Sequence, residues 1–138
     1  TIRETIGYVE EDANLIVTER IMTHGEQFAK TIFEVKLNGE NASTHVTSRS
    51  VADNNSKQEF LSRVEGNAKC FGHVECDAII MENAKVIASP QVEANHLEAN
   101  LIHEAAIGKI AGEQITKLMT LGLTEKEAEE QIISGFLK

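Results

Sequence analysis

An internal repeat is the sequence feature that most constrains the fold. The segment NAKCFGHVECDA, from Asn67, matches NAKVIASPQVEA, from Asn83, at a shift of 16 residues. NASTHV, from Asn41, resembles a further copy, separated from the others by a polar insertion around ADNNSKQE. In a solenoid each coil buries its inward residues on the next, so a period of this kind favours stacked parallel strands. An antiparallel meander with similar hairpins would give the same pattern and is the alternative.

Alternation of apolar and polar residues indicates the strands themselves. The predicted strand segments are LIVTERI, TIFEVKL, ASTHVTS, KCFGHVECDAII and KVIASPQVEA, and Asn38-Gly39 predicts a turn. In the fourth segment the even positions from Cys70 to Ile80 are mostly apolar and are predicted to face inward. Cys76 is therefore predicted to point into the strand core.

The last part of the chain has helical periodicity. Ile115, Leu118 and Met119 fall on one helical face, and Gly122 suits a C-terminal cap. Thr124 and Glu127 have the spacing of a capping box that begins a second helix. Two short helices after the strands could cap the open end of a solenoid or form a docking surface, and the sequence alone favours the cap.

Composition excludes several classes of function. The net charge of −9 disfavours broad binding to nucleic acid or to anionic membranes, which requires clustered Lys and Arg. No apolar run approaches the ~18 residues of a membrane span. Two cysteines do not make a disulfide scaffold, which indicates a reducing, cytoplasmic compartment. The sequence has no phosphate-binding loop, so it predicts no ATP site of its own.

Three residues are candidates for chemistry. Cys76 is either a packed thiol or a thiolate ligand for a soft metal or an iron–sulfur species, although no Cys-x-x-Cys motif is present. His103 and Glu104 are adjacent, so on a strand they face opposite ways. They are therefore not the one-faced pair of a helical zinc site, and taken locally they are a surface histidine and an exposed glutamate.

A family resemblance rests on these same residues. The segments HVECDAIIM, SPQVEANHLEANLIHEAAIGKI and GEQITKLMTLGLTEKEAEEQIISGFL resemble the C-terminal part of the SufB/SufD family, scaffold subunits of the Suf iron–sulfur cluster assembly machine. The resemblance implies a right-handed parallel β-helix over residues 1–110, followed by a helical segment over residues 111–138. It implies a non-enzymatic scaffold that pairs with a SufB/SufD-type partner or with a second copy of itself.

The resemblance also implies site residues. Cys76 matches the Cys of the family's Cys-Asp pair, and His103 and Glu104 match its His-Glu, so these three are expected to hold a transient iron–sulfur cluster. The His-Glu makes the chain somewhat SufB-like. The helical segment is expected to dock a SufC-like ABC ATPase through five residues: Gln114, Ile115, Leu118, Met119 and Leu123. Ile115-Thr116 replaces an aromatic pair common in the family, which leaves the detail of that docking open.

Two other functions compete with this one. A pure interaction module would bind the ATPase while Cys76 is merely packed. A β-helix acting on carbohydrate would need several exposed aromatics and carboxylates in a groove, and only 4% of the residues are aromatic. The carbohydrate hypothesis ranks last.

Overall fold

A computed structural model describes residues 1–138 and consists of eight strands followed by two helices. The strands form two parallel four-stranded sheets, one with the order β1-β3-β5-β7 and the other with the order β2-β4-β6-β8. The bounds are β1 Ile2–Val9, β2 Asn14–Thr23, β3 Phe28–Leu37, β4 Ala42–Ala52, β5 Lys57–Gly66, β6 Cys70–Ile80, β7 Lys85–Ala94, β8 Ala99–Gly108, α1 Gly112–Thr120 and α2 Glu125–Phe136.

Consecutive strands alternate between the two sheets, so the chain winds as a β-solenoid of four coils. Ala42 pairs with Cys70 and Cys70 pairs with Ala99, so one coil spans 28 or 29 residues. The prediction of stacked parallel strands is confirmed, and the antiparallel meander is wrong.

The 16-residue repeat, however, is not one coil. The segments from Asn67 and Asn83 contain β6 and β7, which lie in opposite sheets of the solenoid. Both strands face the same interior with the same two-residue alternation, and this is why their sequences look alike.

The predicted polar insertion is also wrong. Residues 53–56 form a turn, and β5 begins directly after it at Lys57. The polar appearance arises because Gln58 faces the interior, where its Nε2 donates to Thr23 Oγ1 at 2.8 Å and to the Val51 carbonyl at 2.9 Å. Buried amides that are hydrogen-bonded are tolerated in a core, so hydropathy hid this strand. β1 likewise lies outside the five predicted segments.

The middle coils hold a core of buried apolar side chains. Leu37, Val46 and Val74 are almost fully buried, and the rings of Phe33 and Phe60 pack with centroids 5.9 Å apart. Each such side chain contributes about 1.5–3 kcal/mol by leaving water. Stacking of coils is therefore the main source of stability for this part of the fold.

A ladder of asparagines marks one turn in each of the last three coils. Asn67 Nδ2 donates to Asn38 Oδ1 at 2.8 Å, and Asn95 Nδ2 donates to Asn67 Oδ1 at 2.9 Å. Next to the first of them, a Cβ added to Gly39 would lie 1.9 Å from the backbone nitrogen of Glu11. Only glycine fits this close approach, and the predicted Asn-Gly turn is confirmed.

Both predicted helix signals are confirmed. Gly122 has φ +98° and ends α1, and the N–H of Leu123 donates to the Leu118 carbonyl. The capping box of α2 makes both of its bonds, from the Glu127 N–H to Thr124 Oγ1 and from the Thr124 N–H to Glu127 Oε2. Neither helix is long and apolar enough to cross a membrane.

The helices do not cap the end of the solenoid, so that interpretation is wrong. The inward-facing Val92 of β7 is 51% exposed and Ile107 of β8 is 40% exposed. At the end of the chain, the Arg49 guanidinium of β4 instead donates to the Lys138 carbonyl at 3.3 Å. The last coil therefore keeps an uncovered end.

Candidate functional site

Cys76 lies in the interior of the solenoid, as its alternation predicts. It sits on β6 between Ser48 of β4 and Ala105 of β8, and it is only 1% exposed. Cys70 shares this inward face at the start of the same strand and is also buried. The alternation thus places both thiols in the interior, but only Cys76 lies in the Cys-Asp context.

Burial dominates the chemistry of the Cys76 thiol. Burial, with smaller contributions from the negative charges of Asp77 and Glu19, raises the pKa of Cys76 to about 11. The thiol is therefore protonated at neutral pH. Because only a thiolate binds a metal, loading of iron at this position must release a proton.

His103 faces the same interior from the neighbouring strand. It pairs with Val74, whereas Cys76 pairs with the residue two places after His103, so the two side chains lie one inward position apart along adjacent strands. The Nε2 atom of His103 is buried and has no hydrogen-bond partner. Burial, together with His73, lowers the pKa of His103, so its imidazole is neutral at neutral pH.

That orphaned nitrogen fits a metal ligand. A buried polar atom without a partner costs about 1–3 kcal/mol, and a neutral imidazole is the form that coordinates metals. Cys76 and His103 thus offer sulfur and nitrogen from one interior face. No cluster of three or more His, Cys, Asp or Glu side chains in the chain is arranged to hold a metal ion as it stands.

Glu104 faces outward, as its position next to an inward histidine predicts. Its side chain is 65% exposed, and its Oε2 lies 3.2 Å from Nε2 of His73 on β6. The structure therefore places Cys76 and His103 at neighbouring inward positions of β6 and β8, and Glu104 on the opposite face of the sheet.

Sequence reasoning missed one buried acid in the same row as Cys76. Glu19 of β2 is 5% exposed, accepts a hydrogen bond from Ser48 Oγ at 3.0 Å and forms an ion pair with Arg3. The row continues from Ser48 to Cys76. The alternation of LIVTERI already puts Glu19 on the inward face, so this signal was present in the sequence.

The five residues predicted to dock an ATPase lie on and just after α1. Gln114 and Met119 are exposed, whereas Ile115, Leu118 and Leu123 are half-buried. Leu121, between the helices, is 76% exposed. The loop and α1 therefore present apolar surface to solvent.

Comparisons with known proteins identify the family that this chain resembles. The family model described as the SufBD core domain of SUF system FeS cluster assembly matches residues 2–136. An iron–sulfur cluster assembly SufBD family protein of Methanocaldococcus jannaschii is 40% identical over 129 residues, which are 93% of this chain. One of Archaeoglobus fulgidus is 35% identical over 134 residues, 96% of this chain, and one of Methanothermobacter thermautotrophicus is 35% identical over 105 residues, 75% of this chain.

The matched part is a fraction of each relative: 41%, 36% and 26% of their respective lengths. The chain thus spans less than half the length of these relatives. The match nevertheless runs through all eight strands and both helices, including the Cys-Asp and His-Glu segments. The chain therefore belongs to the SufB/SufD family.

Proposed function

We propose that this chain is a scaffold on which an iron–sulfur cluster is assembled, the cluster being its cargo and not a resident cofactor. The observation that carries the proposal is the position of Cys76 and His103, one inward place apart on adjacent strands, with the His103 Nε2 atom buried and unpartnered. The names of the relatives, which describe iron–sulfur cluster assembly proteins, support it.

The position of the pair suits temporary storage. A thiolate and an imidazole bind iron in its sulfide-bridged forms, and two ligands from one chain leave the cluster easy to release. β8 is the edge of its sheet, and Ala105, directly beside Cys76, is small and exposed. We propose this uncovered end as the route by which iron and sulfide reach the buried pair. Glu104 remains a predicted ligand of the cluster, but its carboxylate faces outward and contacts His73.

We further propose that a second subunit, a SufB/SufD-type partner or another copy of this chain, covers the last coil. An exposed sheet edge with inward rows open to water is a surface that proteins normally cover. Val92 and Ile107 supply its exposed apolar rows. A cluster held there would lie at the subunit seam, where a partner can complete the ligand set.

A SufC-like ABC ATPase is the proposed partner of the helical segment. The exposed side chains of Met119 and Leu121 support this role. Truncation after Gly112 should abolish co-purification with the ATPase while the far-ultraviolet spectrum stays β-rich. Retained binding by the truncated chain contradicts this proposal.

Anaerobic reconstitution with iron and sulfide, with and without the ATPase, tests the proposed function. A scaffold should develop sulfide-to-iron charge-transfer absorption in the visible range, with roughly stoichiometric bound iron and sulfide. Protein that binds the ATPase but stays colourless in both samples is not a scaffold.

One observation favours a second function, a pure interaction module that binds the ATPase without a cluster. Cys76 is 1% exposed, and burial raises its pKa to about 11, which are the properties of a packed thiol. This module would bind the ATPase normally and gain no visible absorption under any reconstitution condition.

A further inference from the structure

Two histidines lie side by side on the outer face of the sheet β2-β4-β6-β8. His45 of β4 and His73 of β6 are register partners, and their ring centroids are 5.8 Å apart in an edge-on arrangement. The centroid of the Phe71 ring lies 5.4 Å from that of the His45 ring. Neither histidine is one of the proposed interior ligands of the cluster, Cys76 and His103.

The separation of the two rings, 5.8 Å between centroids, is slightly larger than a shared metal ion requires. With metal–nitrogen distances of about 2.0–2.1 Å, two imidazoles on one ion have centroids roughly 5 Å apart. A small rotation of the exposed His45 side chain would bring its ring within this range.

Glu104 completes the arrangement from β8. Its carboxylate lies 3.2 Å from Nε2 of His73, so it occupies that nitrogen and leaves Nδ1 as the free one. A carboxylate that accepts from the second nitrogen of a histidine is the usual support of a metal-bound imidazole. Glu75, the register partner of Glu104, adds negative charge next to the pair.

We propose that His45 and His73 form a binding site for a divalent transition-metal ion on the outer face of the solenoid, with Glu104 orienting His73. Water would fill the remaining coordination positions, since only two protein ligands reach the ion. The site gives Glu104 a function within its own chain, on the face opposite Cys76.

Imidazole nitrogens with a supporting carboxylate suit zinc, nickel, copper or iron(II) and are poor ligands for magnesium or calcium. The choice of iron(II) among these rests on the proposed scaffold function, in which the outer site would hold iron next to the strand that carries His103. The existence of the site does not depend on that function.

The test uses the full chain with Cys76→Ser, which removes the interior thiol, and titrates Zn²⁺ and anaerobic Fe²⁺ without sulfide. We expect one equivalent of each ion to bind, and Zn²⁺ to shift the ring-nitrogen resonances of two histidines. His45→Ala and His73→Ala should each weaken binding at least tenfold, and Glu104→Gln about 10–100-fold, the usual effect of removing a supporting carboxylate.

His24→Ala is the matched control, because His24 is an exposed histidine in the turn between β2 and β3. It should leave binding unchanged. Unaltered affinity in His45→Ala or His73→Ala, or an equal loss in His24→Ala, overturns the site and leaves the two rings merely stacked. The ring-nitrogen measurement needs no histidine substitution, so it decides the matter even if a variant misfolds.

The two proposals fail separately. Loss of visible absorption in the reconstituted chain would remove the cluster function and the iron assignment, while stoichiometric Zn²⁺ binding in the Cys76→Ser protein would keep the outer site. Absence of Zn²⁺ binding would remove the outer site and leave the interior pair untouched.

Discussion

The middle coils and the last coil place equivalent side chains in opposite situations. Along one inward row Val35 and Val64 are each 2% exposed, whereas Val92 is 51% exposed. In the facing sheet the equivalent row runs from the buried Val74 to His103, whose nitrogen is buried but unpartnered. Along these two rows the side chains are therefore apolar and buried in the middle coils, whereas in the last coil they are exposed or carry an unpartnered nitrogen.

The most direct test of this difference compares two variants of that row, one with a charge in a middle coil and one with a charge in the last coil. Val64→Asp should cost about 4 kcal/mol or more, since an unpaired charge would be buried, and it should unfold most of the protein. Val92→Asp should cost less than about 1 kcal/mol because water already reaches the position. Urea unfolding followed by circular dichroism measures both values. Equal losses would mean that the last coil is closed in solution.

The second prediction concerns what covers the open coil. If a second copy or a related subunit binds there, Val92→Asp should weaken association about tenfold or more, because the new charge must be desolvated at the interface. Ile87→Asp is the control, since Ile87 lies on the outer face of the same strand and is 46% exposed. Sedimentation at micromolar concentration gives the affinities. A Val92→Asp protein that associates normally would rule out this end as the interface.

The interior thiol predicts a pH dependence of stability. The pKa of Cys76 in the folded protein lies at about 11, above the ordinary thiol value of 9.0, so burial favours the protonated thiol. Its stabilising contribution is complete below pH 9 and is lost as pH rises towards 11. The free energy of unfolding should fall more steeply between pH 9 and 11 in the unsubstituted protein than in Cys76→Ser. Parallel curves would indicate that Cys76 is not buried as described.

The smallest expected change in stability comes from the helices, and it tests whether they unfold independently of the solenoid. Thr124→Ala removes one bond of the capping box and should destabilise α2 by about 1 kcal/mol. Thr120→Ala, which loses only a hydroxyl bond to the Lys117 carbonyl, should change stability by less than about 0.5 kcal/mol. Helical ellipticity on heating reports both variants, and a β-signal that melts earlier in Thr124→Ala would show that the two parts fold together.

Local features were predictable from the sequence and long-range pairings were not. The Gly122 cap, the Thr124–Glu127 box and the inward direction of Cys76 all depend on spacings within a few residues. The length of a coil could not be read, because alternation gives the face of a residue but not the sheet to which its strand belongs. The same limit hid β5, where the inward Gln58 broke the apolar pattern.

The same holds for the candidate site: its local features were predictable from the sequence, and its long-range contacts were not. Alternation predicts that His103 and Glu104 face opposite ways, yet it cannot name their neighbours. The bond from Glu104 to His73 joins residues 31 positions apart through the register of β6 and β8. The nearness of His103 to Cys76 depends on that same register, which only the stacked coils fix.

The central claim is that the interior pair at the open end holds the cluster, and one matched reconstitution tests it most directly. Cys70 and Cys76 are buried on the same face of β6, so their Ser variants remove equivalent thiols. After anaerobic loading with iron and sulfide, Cys70→Ser should keep the visible charge-transfer absorption, while Cys76→Ser and His103→Ala should lose most of it and still fold. Unchanged cluster content in the folded Cys76→Ser protein would contradict the account.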